Sequence, residues 1–143
     1  MSQIMIVDDE VGIRDLLSEI LADEGHQVLL AENAESARRL RERQRPDLVL
    51  LDIWMPDTDG ITLLKEWASA GLLTMPVVMM SGHGTIDTAV EATRIGAYDF
   101  LEKPIALQKL LARAHGVFSR SSNALIVKNE RSKPQIRRCR RRG

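Results

Sequence analysis

The chain has 143 residues, 44% of them hydrophobic and 28% charged, and its 20 Lys+Arg balance its 20 Asp+Glu, which is the make-up of one soluble globular domain and too short for two ordinary ones. No apolar run approaches the roughly 20 residues that span a bilayer, and the N-terminus lacks the charged-then-apolar plan of a secretory signal, so a cytoplasmic protein is expected. The single cysteine, Cys139, excludes an internal disulfide and a multi-cysteine zinc site.

Gln3 to Val7 is a short apolar run that ends in three carboxylates, Asp8, Asp9 and Glu10. Val11 to Glu24 then places Ile13, Leu16, Leu17, Ile20 and Leu21 at spacings of three and four, the stripe of an amphipathic helix, with Gly25 just beyond it as a C-cap. Val28 to Leu30 is a further apolar run. Asn33 can cap a helix through about Arg45, with Ala34, Ala37 and Leu40 inward and five arginines from Arg38 to Arg45 outward.

Pro46-Asp47 breaks that helix and leads into Leu48 to Leu51, four aliphatic residues running straight into Asp52. A run this short and this rich in Val and Leu reads as a strand buried on both faces. Met55 to Gly60 is a turn-forming loop, and a helix follows from Ile61 to about Ser69. Pro76 introduces the strand Val77 to Met80, which ends in Ser81-Gly82. Ile86, Ala89, Val90 and Thr93 suggest a helix that stops before Gly96, and Tyr98 to Leu101 makes a brief fifth strand ending in Glu102-Lys103-Pro104. Leu107 to Phe118 closes the pattern with Leu107, Leu110, Leu111 and Ala114 on one face.

Five β-α units with short connections call for a parallel sheet with helices on both faces. The strand ends then share one edge, and four of them carry Asp8 and Asp9, Asp52, Ser81 and Lys103. Taken singly, each has a plainer reading: an acidic pair at a helix N-terminus, an Asp opening a turn, a turn-forming Ser, a solvated Lys. Taken together, the carboxylates would repel one another and raise each other's pKa unless a cation compensates. A hard divalent ion such as Mg2+ takes such oxygen ligands, Lys103 adds a second positive charge and Ser81 a hydroxyl donor. A carboxylate nucleophile, Asp52, held among these groups is equipped for phosphoryl transfer, which needs charge stabilisation more than covalent chemistry.

The motifs IVDDE (Ile6 to Glu10), LLDIWMPDTDG (Leu50 to Gly60), MSGHG (Met80 to Gly84) and DFLEKP (Asp99 to Pro104), in this order and spacing, closely resemble the receiver domain of two-component response regulators. The likeness covers roughly residues 2 to 119. MSGHGTIDTAVEATRIGAYDFLEKP looks most like receivers of the nitrogen-regulation class of sigma-54-dependent transcription activators.

The resemblance implies a flavodoxin-like, doubly wound fold of five parallel strands in the order 2-1-3-4-5. It implies Asp52 as phosphoacceptor from a sensor histidine kinase, and Mg2+ held by Asp8, Asp9, Asp52 and the main-chain carbonyl of Trp54. Ser81 and Lys103 match the family's phosphate-contacting hydroxyl and lysine, and Phe100 its switch aromatic. The Lys103-Pro104 bond is cis in this family. Trp54 and His83 fall where members tune the lifetime of the phosphoryl group; for His83 a plain surface role is preferred to a metal ligand, because no partner histidine accompanies it. No enzyme is implied beyond the domain's own phosphorylation and dephosphorylation. The face of the fourth helix, fifth strand and fifth helix is the family's usual output surface and a possible homodimer contact.

The zero net charge averages two unlike regions. Residues 1 to 127 carry 12 Lys+Arg against 19 Asp+Glu, a net of −7, and residues 128 to 143 carry 8 basic residues against Glu130 alone, a net of +7. The expected organisation is a receiver domain over 1–119 and a basic linker or tail over 120–143, with no second domain. Activators of the resembled class continue into an ATPase and a DNA-binding domain, and no GxxxxGK[ST] motif occurs here. The chain therefore reads either as a stand-alone switch controlling transcription or as a truncated activator whose nucleic-acid contacts belong to a missing output domain. Attraction of the tail to nucleic acid phosphates is a further reading, weakened by its lack of aromatic residues. An aspartate-nucleophile phosphatase would need a second Asp two residues after the first, where this chain has Trp54.

Overall fold

Each apolar run becomes a strand of one parallel sheet, and the helices fill the crossovers. The computed structural model describes residues 2–82, 86–106 and 108–117; His83, Leu107, Phe118, Cys139 and the expected tail over 120–143 lie outside them. The strands are β1 (Gln3–Val7), β2 (Gln27–Ala31), β3 (Leu48–Asp52), β4 (Val77–Ser81) and β5 (Asp99–Glu102). Between them run α1 (Val11–Asp23), α2 (Ala34–Arg43), α3 (Gly60–Ser69) and α4 (Ile86–Ile95). The sheet order is β2-β1-β3-β4-β5 with every neighbouring pair parallel, the doubly wound flavodoxin-like topology that the resemblance implied. The crossovers diverge between β1 and β3, and the crevice beyond the strand ends there is where such sheets bind ligands.

The chain divides into two compact units, Met1–Ala106 and Leu107–Gly143. In the second, the described part is α5, a helix over 108–117 on which Leu110, Ala114 and Val117 are buried at helical spacing.

In the first unit, strand alternation sends side chains to two faces. Met5, Val7, Val49, Leu51, Val77 and Met79 pack with Ala34 and Ala37 of α2, Leu63, Leu64 and Trp67 of α3 and Ala92 of α4 in one cluster. Ile4, Ile6, Leu48, Leu50, Val78 and Met80 are equally buried on the other face, where α1, which touches β1 and β2, contributes Leu17 and Leu21. Burial of one such side chain stabilises by about 1.5–3 kcal/mol. β3 and β4 are buried at every position, as their unbroken apolar character requires.

Two local expectations are corrected, and the helix expected at α4 forms with its apolar spacing turned outward. Leu16, expected on the buried stripe of α1, is 57% exposed, because Leu17 and Leu21 set the inward direction and Leu16 lies roughly 100° around the helix from Leu17. Arg41, expected to face out from α2, is buried: its Nε and Nη2 donate to the carbonyl of Leu72 at 3.1 and 2.9 Å, satisfying a polar group of the loop before β4. The apolar spacing that marks α4 is its outward face, with Ile86 82% and Val90 47% exposed and Ala92 the buried residue. The Gly25 expectation fits, since it stands at φ +92° and donates its N–H to Ala22, closing α1.

Candidate functional site

The carboxyl edge of the sheet gathers the charges that the strand ends promised. Asp8 follows β1 and is fully buried, Asp52 is the last residue of β3 and 2% exposed, and Ser81 closes β4 and is fully buried. One carboxylate oxygen each from Asp8, Asp9 and Asp52 lie within 4.8 Å of one another. Lys103, just past β5, brings its ammonium to 2.7 Å from Asp8 Oδ2, 3.3 Å from Asp52 Oδ1 and 3.5 Å from Glu10 Oε1. Its backbone N–H donates to the Ser81 carbonyl at 2.8 Å, continuing the β4–β5 ladder one residue beyond Glu102, and the Lys103-Pro104 bond is cis, as the resemblance implied.

Local backbone chemistry fixes Asp52. Ile53 donates to the carbonyl of Met80 at 3.0 Å and accepts from the N–H of Gly60 at 2.7 Å, so the chain leaves β3, loops out and returns to start α3 against its own strand end. A Cβ at residue 60 would run into the carbonyl of Asp52; only glycine permits that close approach. Asp59 caps α3 by accepting from Thr62 N at 2.8 Å, which is why the helix begins at Gly60, one residue before the expected start.

Burial pushes the Asp52 carboxyl from its ordinary 3.8 up to about 6, the charge of Asp8 adds to this, and Lys103 opposes it. Lys103 is shifted upward as well, for the opposite reason. Its burial disfavours the ammonium, but the close approach of Asp8 at 2.7 Å and the charges of Asp8 and Asp52 outweigh that and raise its pKa. Two buried carboxylates thus share one cation. Asp8 Oδ1 accepts from Glu10 N at 2.9 Å, whereas the buried Oδ2 accepts no hydrogen bond of good geometry among the described residues and meets only the ion-pair approach of Lys103. An acidic cluster with an under-satisfied hard oxygen fits a hard divalent cation such as Mg2+.

Of the expected residues, Asp8, Asp9, Asp52 and Lys103 come together directly, and Ser81 lies at the end of the neighbouring strand. Phe100 is half-buried in β5 beside Met79 and packs on the core cluster, and Trp54 is 57% exposed. Two contributors were missed. Glu10 joins Lys103, for which the acidic run after β1 was the available signal. Arg14 of α1 donates Nη1 to the carbonyl of Asp8 at 2.6 Å, and a lone Arg on a helix carries no such signal.

Residues 4–115 match the family model of the response regulator receiver domain. The nitrogen assimilation regulatory protein NtrX of Azorhizobium caulinodans is 44% identical over 110 residues, 76% of this chain and 24% of that protein. The regulatory protein AtoC of Escherichia coli is 43% identical over 109 residues, 76% of this chain and 23% of its own length. Among solved structures, the receiver domain of NtrX from Brucella abortus is similar with a TM-score of 0.75 at 47% identity, covering 81% of this chain and 98% of that one. A CheY-like receiver domain protein from Methanospirillum hungatei gives 0.78 at 28% identity, covering 86% and 98%. The chain spans about a quarter of the length of the curated relatives named.

Proposed function

The chain belongs to the response regulator receiver domain family, and on that premise we propose that it takes a phosphoryl group from a sensor histidine kinase onto Asp52. Asp8, Asp9, Asp52 and the main-chain carbonyl of Trp54 hold Mg2+. The observation that carries the reading is a buried carboxylate at a strand end, with a lysine ammonium 3.3 Å away and two further carboxylates within 4.8 Å.

An Asp52 oxygen attacks the phosphorus of a phosphohistidine. The O–P bond forms as the P–N bond breaks, and the electron pair returns to the imidazole, which takes up a proton; the product is a mixed anhydride. With a pKa near 6, Asp52 is mostly ionised at about pH 7 and available as nucleophile. Bound Mg2+ supplies positive charge against the phosphoryl oxygens. Lys103 transfers its ammonium from the carboxylates to those oxygens, and Ser81 donates its hydroxyl to them. Phe100 follows Ser81, so a local charge event biases a two-state element.

The readout is control of transcription, as in the regulators it is similar to, through an output segment. The exposed Ile86 and Val90 of α4 support a second copy or an output segment docking on a face that includes this helix. Among the described residues no helix is long and apolar enough to cross a membrane, which agrees with a site of action in the cytoplasm. The domain's own catalysis is limited to gaining and losing its phosphoryl group.

Incubation with acetyl phosphate and Mg2+ tests the reading. Intact mass spectrometry will show one added phosphoryl group in the wild type and none in Asp52→Asn or in EDTA. Full modification of Asp52→Asn would remove the assignment.

A further inference from the structure

The loop that leaves Asp52 is fastened to α2 from both directions. Asp57, five residues beyond Asp52, turns its carboxylate onto the start of α2: Oδ1 accepts from Ala34 N at 3.1 Å and Oδ2 from Glu35 N at 3.0 Å. In return Arg38 of α2 donates Nη2 to Thr58 Oγ1 at 3.1 Å and to Glu66 Oε2 of α3 at 2.9 Å, and Nε to Glu66 Oε1 at 3.3 Å. α2 already has a cap of its own, since Asn33 Oδ1 accepts from Ser36 N at 2.8 Å. Asp57 takes two of the remaining first-turn N–H groups, and its negative charge suits the positive end of the helix. α2 is a firm anchor, with Ala34, Ala37 and Arg41 buried.

The segment between Ile53 and Gly60 is held to the core by Met55 and gains a second anchor from Asp57. Its ends are pinned by the Ile53–Met80 and Gly60–Ile53 hydrogen bonds, but Trp54, the residue whose carbonyl is to face the metal, has an exposed side chain and so lacks a buried grip of its own. We propose that Asp57 is a positioning residue of the phosphorylation site: by clamping the loop to α2 it holds the Trp54 carbonyl and Asp52 in the arrangement that binds Mg2+. This rests on the Mg2+ reading above and adds to it an outer partner that touches neither metal nor phosphoryl group. Partners of that kind orient the ligands and so set the affinity.

The competing role is an ordinary helix cap, and Asn33 is the internal control, because its side chain caps the same helix from outside the loop. Mg2+ binding to the full chain is measured by calorimetry beside the melting temperature for wild type, Asp57→Ala, Asp57→Asn, Asn33→Ala and Asp52→Asn. Both alanine variants will lower the melting temperature, but only Asp57→Ala will weaken Mg2+ binding, by about tenfold. Asp57→Asn, which keeps one acceptor oxygen, will fall between it and the wild type. Should Asp57→Ala fail to fold, Asp57→Asn against Asn33→Ala carries the same comparison. Unchanged Mg2+ affinity in the Asp57 variants, or an equal loss in Asn33→Ala, overturns the inference while leaving the phosphorylation site intact. Absence of Mg2+ binding by the wild type, or its full retention in Asp52→Asn, removes the Mg2+ reading beneath it instead.

Discussion

Along β1 and β3 the same depth of burial is filled in opposite ways. Ile4 to Val7 are fully buried and apolar, and one residue later Asp8 is just as buried and charged; Leu48 to Leu51 give way likewise to Asp52. In the middle of the sheet, burial stabilises the fold. At the carboxyl edge, burial works against it, because two carboxylates are withdrawn from water with one lysine between them. The edge is tolerable because the middle is so heavily apolar, and the proposed Mg2+ site would start from this imbalance of charge.

The largest way to break the contrast lies in the middle. Leu51→Ala empties a fully buried position and will cost about 2–5 kcal/mol in urea unfolding. Next comes the junction of the two regions: Gly60→Ala forces a methyl onto the Asp52 carbonyl and will cost about 1–3 kcal/mol, together with slower modification by acetyl phosphate. Both lower stability, as damage to packed structure should.

At the edge the sign reverses. The Asp52 carboxyl titrates at about 6 in the folded protein against an ordinary 3.8, so the folded state holds this proton more tightly than the unfolded one. The stability from protonated Asp52 is present below about pH 4 and lost as pH rises through about 6. In metal-free buffer Asp52→Asn will abolish that pH dependence and be more stable than wild type by about 1–2 kcal/mol near pH 7. Thermal melts across this window, compared between the two proteins, check both size and sign. Smallest of all is the exposed Arg38–Glu66 pair at 2.9 Å. Glu66→Ala will change stability by only about 0.5 kcal/mol, measurable by the same urea titration.

The strand ends were legible in the sequence because short apolar runs terminate abruptly in polar residues, and a parallel sheet necessarily brings such ends to one edge. Asp8, Asp9, Asp52 and Lys103 therefore met as expected. Less legible were features decided by tertiary contact. Periodicity announces that α4 has an apolar face but not that the face looks outward, and it cannot separate Leu16 from Leu17 on α1. Arg41 is bound by a carbonyl 31 residues away, and Asp57 by N–H groups 22 and 23 residues earlier in the chain; no local pattern marks either. Boundaries shifted by a residue or two for local reasons, as where α2 stops at Arg43 because Gln44 is extended at φ −158°.

We propose that the buried charge at the strand ends is a binding site held at a cost in stability. The most direct test is a thermal melt of wild type and Asp52→Asn near neutral pH, first in EDTA and then with Mg2+. Asp52→Asn will melt above the wild type in EDTA, and Mg2+ will raise the wild type by more than it raises the variant, narrowing or reversing the gap. A variant that melts lower in EDTA, or equal shifts of both proteins on adding Mg2+, would contradict it.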